Sequence, residues 1–356
     1  MSSPYASAPS PSRRTSRADV SRRRQALRRR RLRRLVPLSI LVVIAVAALL
    51  IVANHSSTSS APATTIATVT TTTIPYNPSA IKPILTPAQP GEGLWTVKDS
   101  WMPGAPAVES TWFRTTPSNP SIVAYAFWMR AASTQLALYL GYEGPGPSSL
   151  NRGPEMVPLA ARGRLLSTFN SGFYEKDGSA GFYTNHTLYY PMVNGLAALV
   201  EYANGSYDVM NWQGGTTPGP SIVMARQNLP LIVDHGQATA PTTNWPNYGI
   251  TLGGVPAVWR TAIGIDPHGN LIYATAASQL PSTLAQIMIH LGCVRAMQLD
   301  INPAWPIYNT YGGPNAASPA LNVPNPNQIA GRFLYSSTKD FFTLYARIPG
   351  EAQIPW

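Results

Sequence analysis

The chain has 356 residues, a formal net charge of +11 and a single cysteine. Residues 1–34 contain twelve Arg and one Asp and therefore carry the whole net charge, because the rest of the chain has 14 basic and 14 acidic side chains. This balance gives no indication of a nucleic-acid-binding face, and one cysteine excludes an intrachain disulfide and a cysteine-based zinc site.

The basic tail is followed by LVPLSILVVIAVAALLIVA, residues 35–53, which contain no charged side chain. A helix of this length, at about 1.5 Å per residue, just crosses a hydrocarbon core of about 30 Å. Arginines on its N-terminal side predict a single-pass transmembrane helix in the cytoplasmic membrane, with the N-terminus inside. A cleaved signal peptide is the alternative, with SSAPA at residues 59–63 as its cleavage region.

Residues 54–84 are rich in Ser, Thr and Pro and lack apolar periodicity. Such a segment cannot bury a core, so it is predicted to be a tether. Residues 85–356 are then the extracytoplasmic domain, which is long enough to form a core without disulfides.

Most of this domain consists of short β-like runs. IVAYAFWM (122–129) and TQLALYLGY (134–142) predict one hairpin, and TAIGID (261–266) and LIYATA (271–276), on either side of the turn PHGN, predict another. Many strands with few helices predict an α+β fold, in which a mixed β-sheet core carries a few helices and is preceded by the transmembrane helix.

One helix is predicted after the second hairpin, followed at once by a strand that ends at Asp300. Thr283 and Gln286 have capping-box spacing at its start, and Gly292 can end it. Its apolar side chains repeat at the spacing of one helical face: Leu284, Ile287, Met288 and Leu291.

The sequence contains no G-x-S-x-G, H-E-x-x-H, phosphate-loop or dinucleotide-binding signature. His186 and His235 are the histidines in predicted loops, and no two histidines have metal-ligand spacing. No pattern in the sequence indicates a metal or a cofactor, and neither is predicted; a Ca²⁺ site built from carboxylates stays open as an alternative.

Four segments place polar side chains among glycines and aromatics: FNSGFY (169–174), ARQNLPLIVDHG (225–236), WRTAIGID (259–266) and AMQLDIN (296–302). In this order they resemble the phosphodiester glycosidase domain family. That family includes the enzyme that removes N-acetylglucosamine from phosphate diesters in lysosomal targeting, and it has many bacterial relatives. Its pattern is Asn-x-Gly-Phe, then Arg-Thr/Ser-Ala-x-Gly, then a helix and a strand ending in Leu-Asp. The matching positions here are Asn170–Phe173, Arg260–Gly264 and Leu299–Asp300, within about residues 160–345.

The resemblance implies a glycoside hydrolase that acts on a sugar-1-phosphate diester or a related cell-envelope glycan. An ionised carboxylate can stabilise the oxocarbenium-like transition state, and an Arg fork suits the departing phosphate oxygens. Asp300 and Arg260 fit these roles, and Asn170 is the third predicted catalytic residue. The predicted substrate-binding residues are Asn302, Gly172, Phe173, Thr261 and Trp305. Trp259 is a further candidate for an apolar wall against the sugar, and a second carboxylate could come from Glu175, Asp177 or Asp234.

The chain departs from the family pattern directly after Leu-Asp. The family continues with Gly-Gly-Gly-Ser, whereas this chain continues with Ile301, Asn302 and Pro303, which supply bulk, an amide and a fixed φ. This departure implies another site shape, with either a different substrate or lost catalysis. Three hypotheses stay open: an envelope-facing glycosidase acting on a sugar-1-phosphate diester or a related cell-wall glycan, a catalytically inactive glycan-binding module, and a structural envelope protein. The predicted partners are an envelope glycan or sugar phosphate and the membrane, through residues 35–53, with no nucleic acid.

Overall fold

A computed structural model of the chain describes residues 76–147, 150–240, 245–350 and 354. The basic tail, the predicted transmembrane helix and most of the predicted tether lie outside the described residues. Within the described part, no helix has the length and apolar character needed to cross a membrane.

The described residues form strands joined by short 3-10 turns, together with one α-helix. The bounds are β1 (Thr96–Val97), β2 (Val108–Arg114), β3 (Val123–Met129), β4 (Thr134–Tyr139), β5 (Leu165–Asn170), β6 (Phe182–Thr184), β7 (Thr187–Tyr190), β8 (Ala197–Tyr202), β9 (Tyr207–Asn211), β10 (Ile222–Gln227), β11 (Leu231–Asp234), β12 (Gln237–Ala238), β13 (Val258–Ile265), β14 (Leu271–Gln279), α1 (Pro281–His290), β15 (Arg295–Gln298), β16 (Tyr308–Gly313), β17 (Ala317–Leu321) and β18 (Phe341–Ala346).

The strands form three sheets. Sheet A has the order β1-β2-β3-β14-β13-β15-β11-β12, sheet B the order β17-β16-β5-β18-β4, and sheet C the order β7-β6-β10-β8-β9. A sheet-dominated fold with few helices is therefore confirmed. The mixed pairing is not observed, because every strand pair among the described residues is antiparallel. Strands β14 and β15 do not pair with each other. They lie on either side of β13, point in the same direction and are connected by α1.

One of the two predicted hairpins is present. Strands β13 and β14 form the hairpin predicted around PHGN, and Ala262 lies opposite Ala274. The other prediction was wrong, because β3 pairs with β2 and β14 in sheet A, whereas β4 pairs with β18 in sheet B. A 3-10 turn at Ala131–Ser133 redirects the chain between them. Strand β4 is buried along its whole length and β3 along most of it, so their side chains do not alternate between apolar and polar. Without that alternation, the sequence of each strand does not indicate its partner.

Helix α1 has the predicted apolar face, with Leu284, Ile287 and Met288 buried. It begins at Pro281, two residues before the predicted cap. Thr283 lies in the first turn instead, where its Oγ1 accepts a hydrogen bond of 2.9 Å from the backbone N–H of Leu280. Proline suits the first helical position because the N–H it lacks would be unpaired there.

Aromatic stacking joins the facing sheets A and B. The Tyr308 ring lies 3.7 Å from Phe127 and 5.5 Å from Phe169, in near-parallel planes. Helix α1 contributes side chains to a second apolar cluster built on sheet A. The N-terminal segment 76–84 already contacts the domain, since Ile81 N–H donates to Gly93 O at 2.8 Å.

Candidate functional site

The candidate site lies where the ends of three strands meet. Asp300 follows β15, Asn170 ends β5, and Lys339 precedes β18. Strands β5 and β18 pair with Phe341 opposite Asn170, which brings Lys339 to the same end of sheet B. The backbone N–H of Asp300 donates to Ser171 O at 3.0 Å, so sheet A joins sheet B at this point.

Asp300 and Lys339 form a buried ion pair, in which the Lys339 ammonium donates to Asp300 Oδ2. The other carboxylate oxygen, Oδ1, accepts the Asn302 N–H at 2.8 Å. Burial raises the pKa of Asp300, and the Lys339 charge opposes that rise. The ammonium lies 4.2 Å from the ring centre of Tyr174 and 5.7 Å from that of Trp305, so two aromatic faces contact the cation.

A cavity of about 750 Å³ opens beside this pair. Its volume is that of a site for a small organic ligand. The polar and aromatic lining is formed by Tyr174, Lys176, Asp177, Asp300, Asn302 and Trp305. The apolar lining is formed by Phe173, Leu229, Ile250, Val258 and Ile301.

Four of the eight predicted site residues line this cavity: Asp300, Asn302, Phe173 and Trp305. The structure also places Ile301 and Pro303 in the lining, so the segment that departs from the family pattern forms part of the cavity wall. The other four predicted residues lie outside the lining: Arg260, Asn170, Gly172 and Thr261.

Arg260, which the sequence predicts to bind the departing phosphate oxygens, does not line the cavity. It is fully buried, and its guanidinium donates to the carbonyls of Gln279 at 2.7 Å, Tyr248 at 3.3 Å and Pro256 at 3.0 Å. It also donates to Gln298 Oε1 at 2.8 Å, and Gln298 Nε2 in turn donates to Tyr248 O at 2.6 Å. Within the described residues Arg260 has no ion pair, and burial lowers its pKa to about 10. Arg260 therefore holds both ends of the loop from Tyr248 to Pro256, which we call the cavity loop.

Asn170 and Thr261 connect sheets A and B beneath the cavity. Asn170 Nδ2 donates to Thr261 Oγ1 at 3.0 Å, and Thr261 Oγ1 donates to Asp300 O at 2.8 Å. Asn170 Oδ1 accepts from the Tyr273 hydroxyl at 2.8 Å and from the Ile307 N–H at 3.3 Å. These contacts occupy the amide, so Asn170 positions the backbone of Asp300 through Thr261.

Gly172 permits a close approach of backbone and side chain. A Cβ at this position would lie 3.2 Å from Asn228 Cγ and 3.4 Å from Arg226 Nη2. Asn228 Oδ1 accepts the Phe173 N–H at 3.2 Å, which fixes the segment that carries Phe173 into the cavity.

Of the candidate second carboxylates, Asp177 lines the cavity. Asp234 instead contacts the exposed ring of His235 at 3.0 Å. Glu175 lies next to Tyr174 and has a buried Oε2 without a hydrogen-bond partner. Glu143, which the sequence did not indicate, accepts the Tyr174 hydroxyl at 3.0 Å.

Sequence reasoning missed Lys339, the closest cation to Asp300. It is one of four lysines in the chain and stands in Lys-Asp directly before the fully buried strand FFTLYA. Two features of the sequence could have indicated Lys339: lysine is rare in this chain, and a charged dipeptide directly before a buried strand is unusual. The neighbouring Asp340 pairs with Arg226 at 2.8 Å, and Arg226 also donates to Phe173 O at 2.6 Å.

A second cavity, of about 580 Å³, lies beside α1 and is lined mainly by hydroxyl, amide and isoleucine side chains. Its lining among the described residues contains no Asp, Glu, Lys or Arg. In the described part of the chain, no cluster of His, Cys, Asp and Glu has the geometry to hold a metal ion. The carboxylate and ammonium make the larger cavity the better candidate for chemistry.

No protein-family model and no curated protein matches the chain. Among solved structures it is similar to the catalytic domain of zebrafish N-acetylglucosamine-1-phosphodiester alpha-N-acetylglucosaminidase, auto-inhibited by its pro-peptide. The match has 17% identity and a TM-score of 0.44, over 70% of this chain and 87% of that one. A hypothetical protein from Synechocystis matches at 11% identity and a TM-score of 0.39, over 68% of this chain and 62% of that one. A putative exported protein from Burkholderia pseudomallei K96243 matches at 12% identity and a TM-score of 0.37, over 63% and 74%. These are distant fold relationships.

Proposed function

We propose that the protein is a membrane-anchored, extracytoplasmic glycosidase that hydrolyses a sugar-1-phosphate diester or a related cell-envelope glycan. One observation carries the proposal. A buried carboxylate, Asp300, lies in a cavity of ligand size, with a buried ammonium on one oxygen and the rings of Tyr174 and Trp305 around that ammonium.

The chemistry assigns a role to each group. Cleavage of the bond between C1 and the phosphate oxygen develops positive charge on the sugar, which the Asp300 carboxylate stabilises. The phosphate monoester leaves as a weakly basic anion and needs little protonation. Lys339 favours the ionised form of Asp300 and so opposes the rise in pKa that burial causes. Trp305 and Tyr174 line the cavity and offer apolar faces to the sugar ring.

The alternative is a catalytically inactive glycan-binding module. It is favoured by the occupation of both Asp300 oxygens, one by Lys339 and one by the Asn302 N–H. It is also favoured by Ile301 and Pro303 in the cavity wall, where the family pattern has glycine.

Kinetics of Asp300→Asn test the proposal. The substrates are the methyl diesters of N-acetylglucosamine-1-phosphate, glucose-1-phosphate and mannose-1-phosphate. We expect wild type to hydrolyse at least one of them, and Asp300→Asn to lose at least 100-fold in kcat, as expected for loss of one transition-state-stabilising group. Binding of an intact diester without turnover by wild type would favour the inactive module.

A control is needed because Asp300→Asn leaves Lys339 buried without its counter-ion, which lowers stability. Glu92→Gln removes the partner of another buried cation, Arg114, whose ion pair of 2.8 Å lies outside the cavity lining. We expect Glu92→Gln to lower the melting temperature and to retain turnover. Loss of turnover in both variants would assign the effect of Asp300→Asn to stability.

A further inference from the structure

The cavity beside Asp300 has an apolar half as well as a charged one. Asp300 contacts Lys339, whereas the next residue, Ile301, is 3% exposed and packs in an apolar cluster with Phe173 and Leu229. Val258 packs against the same cluster. These four apolar side chains all line the cavity. The segment after β15 therefore supplies both a carboxylate, Asp300, and an apolar side chain, Ile301, to the cavity.

The cavity loop extends this apolar surface. Gly249 has φ of +101°, and a Cβ there would lie 2.7 Å from Phe173 Cζ and 3.1 Å from Ile301 Cδ1. Only glycine lets the backbone lie this close to both side chains in this conformation. The next residue, Ile250, lines the cavity and is 83% exposed. A large aliphatic side chain is thus exposed to solvent at the edge of an apolar cluster.

A sugar phosphate alone does not match this surface. Its hydroxyl and phosphate groups suit the half formed by Asp300, Asn302 and Tyr174, and they would leave the exposed Ile250 and the half-buried Val258 in contact with water. An alkyl group in that half would remove apolar surface from water on both ligand and protein.

We infer that the substrate is amphiphilic: a sugar-1-phosphate diester whose other ester group is an aliphatic chain, bound against Ile250 and the Phe173–Leu229–Ile301 cluster. This inference rests on the proposed function, because it names the second half of the same substrate. The bond that breaks is still the one between C1 and the phosphate oxygen. Water adds to C1, and an alkyl phosphate leaves.

The test is a chain-length series: the methyl, butyl, hexyl and octyl diesters of N-acetylglucosamine-1-phosphate, each used below its micelle concentration. Full burial of one methylene changes affinity by about three- to four-fold. We expect each added methylene to lower KM by up to this factor until the cavity is filled. We expect kcat to stay nearly constant. A KM independent of chain length, with the methyl diester still hydrolysed, overturns the inference and leaves the proposed function standing.

Ile250→Ser and Ile329→Ser form a matched pair of variants. Both isoleucines are exposed, at 83% and 60%, but only Ile250 lines the cavity. We expect Ile250→Ser to weaken the dependence of KM on chain length, and Ile329→Ser to leave that dependence unchanged. Equal effects of the two variants overturn the inference.

Calorimetric binding separates the two failures. If wild type hydrolyses none of the diesters, the proposed function fails, and binding of the octyl and methyl diesters then decides the inference. Tighter binding of the octyl diester, sensitive to Ile250→Ser, supports it, and equal or absent binding overturns it. Octyl phosphate, which lacks the sugar, should bind more weakly than the octyl sugar diester. Equal affinity would indicate a general lipid surface and also contradict the inference.

Discussion

At the scale of residues, two opposing effects act on the pKa of Asp300. Burial disfavours its charged form, and the Lys339 ammonium favours it. The proposed chemistry needs the ionised form, so activity should be lost as pH falls through the pKa of Asp300.

Lys339→Met removes the effect that lowers this pKa and keeps a side chain of similar length. We expect the acidic limb of kcat/KM to move to higher pH by about 1–3 units, the usual effect of one close opposite charge. The measurement is the pH–rate profile of the methyl diester for wild type and variant. An acidic limb at the same pH in both proteins would show that Lys339 does not govern Asp300.

Some of the site could be predicted from neighbouring residues in sequence, and some could not. Asp300, Asn302 and Trp305 line the cavity, and all three lie at or just after the end of the strand that the sequence predicts up to Asp300. Lys339 is 39 residues from Asp300, and their contact depends on the pairing of β18 with β5, which no local pattern encodes. Arg260 has the right chemistry for a phosphate, but its guanidinium is occupied by backbone carbonyls of segments distant in sequence.

At the scale of elements, Arg260 fixes the cavity loop to the sheet that carries Asp300. The loop's two ends, Tyr248 and Pro256, bind the same guanidinium, and Gln298 connects it to β15. The loop is therefore closed like an Ω-loop, with its ends held together.

Arg260→Lys should release this loop, because one ammonium cannot reproduce the fork of donors. We expect faster amide hydrogen exchange in residues 248–256 and a several-fold higher KM for the diesters, with a smaller change in kcat. Arg114→Lys is the control, since Arg114 is another buried arginine and bonds Glu92 and Pro87 O outside the cavity lining. Equal rates of amide hydrogen exchange in the cavity loop of both variants would show that Arg260 does not hold the loop.

A buried carboxylate also lies where sheet C meets sheet B. Glu201 on β8 is fully buried, and Arg347 Nη2 lies 3.6 Å from its Oε1. Burial raises the pKa of Glu201 to about 8, although Arg347 opposes the rise. Because the folded state binds this proton more tightly than the unfolded state, Glu201 lowers stability progressively as pH rises from about 4.5 to about 8.

Glu201→Gln removes this titration and keeps the shape of the side chain. We expect wild type and variant to have similar free energies of unfolding at pH 5, and the variant to be more stable at pH 8.5 by a few kcal/mol. Urea unfolding at the two pH values measures the difference. A difference between the two proteins that does not change with pH would place the folded pKa of Glu201 near its ordinary value.

At the scale of the whole molecule, the sheet-rich class and the β13–β14 hairpin follow from the sequence, because alternation and a turn signal coincide there. The assembly into three antiparallel sheets does not. Strands such as β3 and β4 are neighbours in sequence and lie in different sheets, and long-range pairing selects their partners.

Topology is a prediction of the sequence, since residues 1–34 and 35–53 lie outside the described residues. The arginines of the tail and the uncharged run predict a tail in the cytoplasm and residues 85–356 outside it. Protease added to intact protoplasts should remove the large domain and spare an epitope on the tail. Removal of the tail epitope instead would contradict the assignment.

The proposed function requires that the cavity beside Asp300 binds the sugar and its phosphate. A crystal structure of Asp300→Asn with the methyl diester of N-acetylglucosamine-1-phosphate tests it most directly, because this variant should bind the intact diester without cleaving it. We predict that the sugar lies between Tyr174 and Trp305, with C1 beside residue 300 and the methyl ester directed toward Ile250. A diester bound in the cavity beside α1, or a cavity beside residue 300 that stays empty at saturating diester, would show that Asp300 does not bind the sugar phosphate.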